Sequence, residues 1–394
     1  MRMRIRWLLL IAGLLVTPSL GSAQMNVPPV PFTGPLSGPR PEDGGLYVGF
    51  NFVYMRTNRP LPTSQQIAIR GFRDLDGTAS GSPPGTVVGS GDPALNTDQL
   101  RGPGTWQPGW DLFFGWKFQG GVAVEINWRH LVQAKYSAGA GIIPPDFNTG
   151  PQFQNTFLFA PVTNFGSDWA GSDRNVPQGS TASTFGIWNA ASIMSIEFIQ
   201  RFDIYQINVR VPIVQTDSYR SYGLFGPRIV WIWDRFSWRT VDVDTLGNSG
   251  PDTTAIYSNM VSNRMYGVHA GFGNDWFLGN TPIGAFSFEF DIEGGMYVDL
   301  AKTHVAYERA DRHVSSSRGR RFFALVPGAE IRTGVKWYVW EGITIDLGYD
   351  IQAYFNTLAS PKPVDFNLSS VDPQFEHIAV RWFHGMRFGV TFSF

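Results

Sequence analysis

Residues 329–351 read AEIRTGVKWYVWEGITIDLGYDI, and this stretch decides the fold class. Apolar side chains recur at alternate positions on both sides of Glu341-Gly342, which is typical of two strands joined by a tight turn. The apolar positions are Ile331, Val335, Trp337, Val339, Ile343, Ile345, Leu347, Tyr349 and Ile351. The charged positions between them are Glu330, Arg332, Lys336, Asp346 and Asp350. Because successive side chains of a strand point to opposite faces, the stretch predicts an antiparallel hairpin with one apolar and one charged face.

The same alternation recurs along the chain, in the runs 46–54, 110–119, 122–129, 205–213, 223–235, 265–276, 285–299 and 386–394. The polar face of these runs again carries charges of both signs, at Asp111, Lys117, Glu125, Arg129, Arg228, Glu289, Asp291 and Glu293. Tryptophans fall near the ends of the runs, at Trp110, Trp128, Trp231, Trp276, Trp337 and Trp340. Indole rings at strand ends are typical of the two interfaces of a membrane barrel.

One run is ambiguous. In 192–213, Met194, Ile196 and Phe198 alternate in one phase, whereas Tyr205 and Ile207 alternate in the other. A β-bulge that joins two halves of one strand would explain the change of phase. A short plug helix over 192–202 is the alternative. The count is ten strands if the run crosses once, and the prediction is ten to twelve.

The intervals between the runs alternate in length. Long ones cover 56–107, 136–187, 237–262, 301–321 and 356–381, and short turns lie near Gln119, Asn280 and Gly342. Long extracellular loops and short periplasmic turns are the pattern of an outer-membrane barrel. No stretch after the N-terminus has about 20 uninterrupted apolar residues, so no transmembrane helix is expected. A strongly aromatic soluble β-sandwich remains the alternative fold.

The N-terminus has the three parts of a secretory signal peptide. Arg2, Arg4 and Arg6 precede an apolar stretch over 7–16, and small residues lead to a cleavage site before Gln24. We therefore expect a signal peptide over 1–23, a Pro- and Gly-rich periplasmic lead-in over 24–45, and a barrel over 46–394. The chain has no cysteine, which excludes both a disulfide framework and a lipid-modified N-terminal cysteine.

Composition agrees with a lipid-facing surface. Charged residues make up 16% of the chain and aromatic residues 15%, whereas soluble domains average roughly 25% charged residues. The net charge is −1, or −4 once the three arginines of the signal are removed. No basic excess therefore indicates nucleic-acid binding.

The last strand carries the most specific motif. It ends FGVTFSF, with Phe388, Val390, Phe392 and Phe394 on one face. A terminal strand of this kind resembles the assembly signal of bacterial outer-membrane β-barrel proteins, and the long loops resemble those of the pore-forming families. The resemblance implies an all-β, closed antiparallel transmembrane barrel in the bacterial outer membrane. It further implies outer-membrane lipid and the barrel-assembly machinery as partners, possible self-association, and a porin-like channel for small solutes or ions without a cofactor.

The charged inner face has two interpretations. It lines a pore and sets its selectivity, or its opposite charges pair and fill a narrow, plugged barrel with a structural or adhesive role. A hydrolase is a further alternative, because Asp299, His304, Asp311 and His313 flank one outer loop, although no Gly-x-Ser-x-Gly elbow is present.

Three weaker motifs complete the sequence. The segment 242–247 begins like a calcium loop but lacks its later ligands, and 74–77 is a weaker match still, so no metal site is expected. Arg318, Arg320 and Arg321 cluster where an outer loop rejoins a strand. They either grip lipid phosphates or form an ordinary basic loop base.

Overall fold

The structure, a computed structural model, describes residues 45–57, 61, 63–74, 81, 86–101, 106–141, 153–164, 186–189, 191–216, 218–243, 248–340 and 342–394. The predicted signal peptide lies outside the described residues, and so does the lead-in except for Gly45, which begins the first strand. Residues 75–77 and 244–247 of the two calcium-like motifs, and Glu341 of the predicted turn, also lie outside them.

Ten antiparallel strands pair edge to edge in a closed ring, which confirms the predicted barrel and fixes its strand number. The ring strands are β1 (Gly45–Thr57), β4 (Gln107–Lys117), β5 (Ala123–Gly141), β7 (Ile193–Gln215), β8 (Tyr219–Val241), β9 (Thr254–Thr281), β10 (Gly284–Arg309), β11 (Ser315–Trp340), β12 (Ile343–Lys362) and β13 (Gln374–Ser393). Their order is β1-β13-β12-β11-β10-β9-β8-β7-β5-β4, and β4 pairs back onto β1. In the closed ring every strand pairs with a neighbour on both of its sides, as a sheet in lipid requires.

The two ends of the barrel differ. At one end, named the turn end, four joins of at most five residues connect β4 to β5, β7 to β8, β9 to β10 and β11 to β12. The first strand begins at this end and the last strand finishes there, with Tyr47 opposite Ser393. The other end, named the loop end, carries the long connections β1–β4, β5–β7, β8–β9 and β12–β13.

Three of the predicted loops are mostly strand. β9 has 28 residues, and β10 and β11 have 26 each, whereas a crossing needs about ten. The expected loops 237–262, 301–321 and 356–381 shrink to 242–253, 310–314 and 363–373. The apolar alternation of the sequence weakens there because these parts of the walls lie beyond the apolar outer surface and no longer need an apolar outer face. Strand pairing nevertheless continues, for example between Lys302 and Arg321.

The first two long connections build a second sheet. β2 (Gln66–Asp74), β3 (Thr86–Asn96) and β6 (Phe153–Phe159) pair in the order β3-β2-β6, and a single helical turn, α1, covers Gly186–Asn189. Buried residues of this sheet and turn pack against inward-facing side chains of the loop end, including Trp238, Tyr257 and Tyr307. We name this apolar cluster the loop-end cap.

Strand β7 corrects the interpretation of 192–213. The strand runs unbroken, and Met194, Ile196, Phe198, Gln206 and Asn208 all face the interior. Neither a plug helix over 192–202 nor a bulge at the change of phase exists; the nearest irregularity is on the partner strand β5, between Leu131 and Ala134. The hydrophobic phase changes because the interior itself changes, from apolar near the loop end to polar near the turn end.

The barrel is apolar outside and charged inside, the polarity of a membrane barrel. Large exposed side chains cover the outer face of the ring strands, for example Phe50, Phe272, Leu325, Leu347 and Phe388. Among the described residues, no helix has the length and apolar character to cross a membrane.

Candidate functional site

The structure brings the predicted charged residues together inside the barrel. All thirteen lie at inward-facing positions: Asp111, Lys117, Glu125, Arg129, Arg228, Glu289, Asp291, Glu293, Glu330, Arg332, Lys336, Asp346 and Asp350. Strand alternation explains this, because each strand holds its charges at positions of one parity. Along the barrel axis, from the turn end to the loop end, the lumen is divided into successive layers of side chains.

A cavity of about 330 Å³ occupies the turn end of the lumen. Several cations and carboxylates on its wall are paired with each other. Lys336 Nζ lies 3.0 Å from a Glu289 oxygen and 3.1 Å from an Asp275 oxygen. Arg387 contacts Glu289 at 3.2 Å and Asp346 at 2.8 Å. The cavity therefore has a polar wall whose charges are largely compensated.

Above the cavity, Arg129 is the centre of a buried ion network. Its guanidinium lies 2.8 Å from Asp111, 2.9 Å from Asp350 and 3.5 Å from Glu330. These strands, β4, β5, β11 and β12, are not all neighbours in the ring, so the ion pairs cross the lumen. Such pairs occupy the space that a water-filled channel would need.

Arg228 continues this layer from the opposite wall. It pairs with Glu293 and, at 2.9 Å, with Glu330, while Arg332 reaches Glu330 at 2.8 Å. His269 completes the layer through a 2.8 Å hydrogen bond with the Asn208 side chain. Glu330 thus joins three arginines from three strands.

An apolar layer closes the lumen above the ion network. We name it the aromatic plug; it comprises Val53, Met55, Leu131, Phe202, Ile204, Val230, Ile232, Met265, Tyr297, Val326, Tyr354 and Phe383. Nine of the ten ring strands contribute to it. The rings of Phe202 and Phe383 stack with their centroids 4.0 Å apart. The centroid of the Phe202 ring also lies 6.4 Å from that of the Tyr354 ring. Side chains from opposite walls therefore meet on the barrel axis.

A further polar pair and the loop-end cap lie beyond the plug. Arg381 pairs with Asp234, which also accepts a 3.0 Å hydrogen bond from Gln200. Within the cap, Trp188 Nε1 donates a 2.7 Å hydrogen bond to Tyr307 Oη. The described part of the lumen is thus filled from the ion network to the loop end.

The formal charges between the turn end and the plug nearly cancel. The described carboxylates are Asp111, Glu125, Asp275, Glu289, Asp291, Glu293, Glu330, Asp346 and Asp350. The described cations are Lys117, Arg129, Arg210, Arg220, Arg228, Arg332, Lys336 and Arg387. A lumen with this balance has little net field with which to select ions of one sign.

The outer-loop residues considered for hydrolysis do not assemble a dyad. Asp299 is buried and accepts the Arg264 backbone N–H at 2.8 Å, whereas His304 is exposed on the opposite face of β10. Hydrogen bonds from Arg309 hold the pKa of Asp311 at about 2, which suits a structural carboxylate more than a general base. His313 donates its backbone N–H to that carboxylate, at 3.0 Å.

Residues of the weaker motifs make structural contacts with other parts of the chain. Asp242 accepts a 2.9 Å hydrogen bond from Ser192 Oγ, and no three acidic or histidine side chains of the described residues converge on a possible metal site. Arg318 and Arg320 both pair with Asp372 of the β12–β13 connection. Of the three clustered arginines, Arg321 alone is exposed on the outer wall without such a pair among the described residues.

The six predicted interface tryptophans lie on the outer wall in two groups. Near the loop end, Trp110 and Trp128 meet edge to face at 5.8 Å, and Tyr205 links Trp128 to Trp231. Toward the turn end lie Trp276, Trp337 and Trp340, where Trp337 stacks on Phe286 at 6.0 Å. Two aromatic groups flanking an apolar zone are the arrangement of membrane-interface girdles.

Sequence reasoning missed several lumen residues, chiefly Arg387, Arg381, Asp275 and His269. Arg381 fell in the expected loop 356–381, and the other three lie in strands whose apolar faces carried the prediction. The parity of Arg387, opposite to that of Phe388, was a usable signal. Its partners Glu289 and Asp346 lie on other strands, and no local spacing shows them.

The chain matches no protein-family model and no curated protein. Among solved structures it is similar to the outer membrane protease OmpT of Escherichia coli, at 7% identity and a TM-score of 0.37 over 89% of this chain and 97% of that one. It is also similar to a major outer membrane protein of Thermus thermophilus, at 10% identity and a TM-score of 0.27 over 88% and 99% of the two chains. A third is the CymD monoaromatic hydrocarbon channel, at 7% identity and a TM-score of 0.25 over 89% of each chain. The chain itself is a ten-stranded antiparallel barrel whose charged lumen is closed by the aromatic plug.

Proposed function

We propose that this protein resides in the bacterial outer membrane as a barrel with a closed lumen, and that its function lies in the structure presented at its loop end. The observation that carries the proposal is the contact of Phe202 with Phe383 across the lumen. Both rings are at most 1% exposed. A water-filled passage and this contact cannot occupy the same space.

Membrane residence is supported by the outer wall. The exposed face between the two tryptophan groups is apolar, and exposing such a surface to water would be costly at roughly 25 cal/mol for each Å². The terminal strand supports assembly there, because Phe388, Val390, Phe392 and Phe394 share its lipid-facing side.

The length of the walls supports a role at the surface. β9, β10 and β11 continue well past the outer tryptophan group, and the second sheet packs inside this extension. A passive anchor needs no such structure. The loop end therefore has the size and rigidity of a structural or adhesive platform.

A porin-like channel for small solutes or ions is the second candidate. The cavity at the turn end favours it, because about 330 Å³ of space is lined by Lys336, Arg387, Asp275 and other polar groups. Conduction would require the plug to rearrange, since Phe202 and Phe383 separate this cavity from the loop end.

Planar-bilayer recording separates the two candidates. We expect the folded wild-type protein to give no stable conductance steps, and the variant Phe202→Ala/Phe383→Ala to give more frequent openings. The control Phe272→Ala removes an outward-facing ring from β9 and should leave the bilayer silent. Regular steps from the wild type would overturn the closed-lumen proposal in favour of the channel.

Surface presentation has its own test. An epitope inserted in the turn 310–314 should be recognised by antibody on intact cells, and one inserted at the turn-end join 216–218 only after the cells are lysed. The reverse labelling pattern would contradict the proposed orientation.

A further inference from the structure

A row of cations marks the upper border of the apolar outer wall. It consists of Arg201 on β7, Arg235 on β8, Arg264 on β9, Lys302 on β10 and Arg321 on β11, and we name it the basic belt. The five strands are consecutive in the ring. The belt therefore covers one continuous side of the barrel.

Register places the belt directly above lipid-facing side chains. Leu300 and Phe323 are paired across β10 and β11, and are 44% and 75% exposed. Two residues further toward the loop end, the next outward pair is Lys302 and Arg321. On the neighbouring strands, Arg264 is paired with Trp231, a member of the outer tryptophan group.

The belt contains a like-charge pair without compensation. Lys302 and Arg321 are direct cross-strand partners on the same face, an arrangement that is destabilising when nothing lies between the charges. Among the described residues, neither side chain has an ion pair, and the same is true of Arg264. Two other exposed cations do have partners: Lys135 on β5 lies 2.6 Å from Glu197, and Arg312 in the β10–β11 turn lies 3.5 Å from Glu308.

The other end of the belt is held in place by an aromatic ring. Arg201 lies 4.8 Å from the centre of the Trp233 ring, and Arg235 lies 5.8 Å from it. Arg201 donates its Nε–H to Gln133 at 3.0 Å, and Arg235 reaches Glu197 at 3.3 Å. The Trp233 ring and Gln133 hold the Arg201 guanidinium against the outer wall, and the side chain remains exposed.

We infer that the basic belt binds the phosphate groups of lipid headgroups in the leaflet around the loop end. Phosphate is the matching ligand, because guanidinium groups bind its oxygens in pairs and a shared anion would relieve the repulsion between Lys302 and Arg321. The height of the belt, next to the outer tryptophans, is the height of headgroups in a membrane. This inference rests on the proposed residence in the outer membrane.

The test compares two triple variants that lose the same charge. The first, Arg264→Gln/Lys302→Gln/Arg321→Gln, removes three belt cations. The control, Lys135→Gln/Arg239→Gln/Arg312→Gln, removes three exposed cations outside the belt, two on the outer wall and one in the β10–β11 turn. Each folded protein is inserted into vesicles of phosphatidylcholine mixed with phosphatidylglycerol, and the lipids that remain bound after detergent extraction are counted by native mass spectrometry.

We expect the wild type and the control to retain phosphatidylglycerol preferentially, and the belt variant to lose that preference several-fold. Equal preference in the belt variant and the control would overturn the inference. Displacement of the lipid by inorganic phosphate at low concentration would assign the belt to a free anion instead and also overturn it. Failure of the wild type to insert into vesicles of phosphatidylcholine alone would contradict membrane residence itself, which is a different outcome.

Discussion

Phe202 on β7 and Phe383 on β13 stack face to face at 4.0 Å, with an angle of 27° between their planes. Their strands are separated by three ring strands on one side and five on the other. The contact therefore joins opposite walls, and the aromatic plug acts as a hydrophobic core that lies inside the barrel. A barrel built in this way resembles a small folded protein in its interior and a membrane protein on its surface.

The plug should contribute to stability as a packed core does. Truncation of either ring in the variants Phe202→Ala and Phe383→Ala should lower the free energy of unfolding by about 3–5 kcal/mol, the range for a buried Phe. Because the rings touch, the double variant should cost less than the sum of the two single costs, with a coupling of about 0.5–3 kcal/mol. Urea unfolding in detergent measures this. The outward-facing control Phe272→Ala should show no coupling with Phe202→Ala, and additive costs at positions 202 and 383 would argue against the contact.

Arg129 should be the most sensitive charge of the ion network. In Arg129→Met, Asp111, Asp350 and Glu330 lose a shared cation while they remain buried, so we expect a loss of about 3–5 kcal/mol in the free energy of unfolding. Adding Asp350→Asn to that variant should recover part of the loss, because it removes one of the uncompensated carboxylates. The exposed residue Arg239 provides the matched control, Arg239→Met, which should stay within about 0.5 kcal/mol of the wild type. An equal effect at positions 129 and 239 would show that the network is hydrated.

Much of this architecture could be predicted from local sequence, because successive side chains of a strand alternate between its two faces. Parity alone assigned Glu289, Asp291 and Glu293 to one face and Phe388 to the other, because a strand that separates lipid from a polar lumen must alternate. The signal is local, so one strand suffices to show it.

Alternation of apolar and polar residues did not identify the inward-facing side of a strand where the lumen itself is apolar. Met194 and Ile196 face inward, yet their hydrophobicity suggested a change of phase on β7. The second sheet was missed for a related reason: its buried residues belong to the loop-end cap, so its strands do not separate lipid from a polar lumen. The ion pairs across the lumen were also out of reach, since Arg129 and Asp350 are 221 positions apart, and pairing at that distance depends on closure of the whole ring.

The loop-end cap should lose stability in alkali. Burial raises the pKa of Tyr307 above its ordinary value, so the unfolded chain gives up this proton more readily than the folded one. The neutral phenol therefore contributes stability that is fully present below about pH 10 and declines as the pH rises further. Hydrogen exchange of the β10 amides beyond Lys302 should show the decline.

Two variants isolate the Tyr307 contribution. Tyr307→Phe should destabilise the cap by about 1–3 kcal/mol at neutral pH, because Trp188 Nε1 loses its acceptor. Its deficit relative to the wild type should then shrink above about pH 10, since the variant has no phenol at this position to ionise. Trp188→Phe should weaken the cap while leaving the alkaline decline in place. A deficit in Tyr307→Phe that stays constant with pH would exclude ionisation of this phenol as a cause.

Phe394 should matter for assembly in the cell more than for the stability of the finished barrel. Its backbone N–H extends the β1–β13 pairing by donating to the Leu46 carbonyl at 2.8 Å, and any residue except proline can make that bond. Its side chain is 68% exposed, so it contributes little packing. In Phe394→Ser we therefore expect less folded protein in outer membranes, measured on gels as the protein band whose mobility changes when the sample is heated. Refolding of the purified variant into detergent should be unchanged. The variant Phe323→Ser removes another exposed outward ring, at the loop end of β11, and should be assembled normally. A refolding defect as large as the defect in cells would mean that Phe394 stabilises the barrel directly. Recovery of the yield in cells by Phe394→Tyr would support recognition of a terminal aromatic side chain by the assembly machinery.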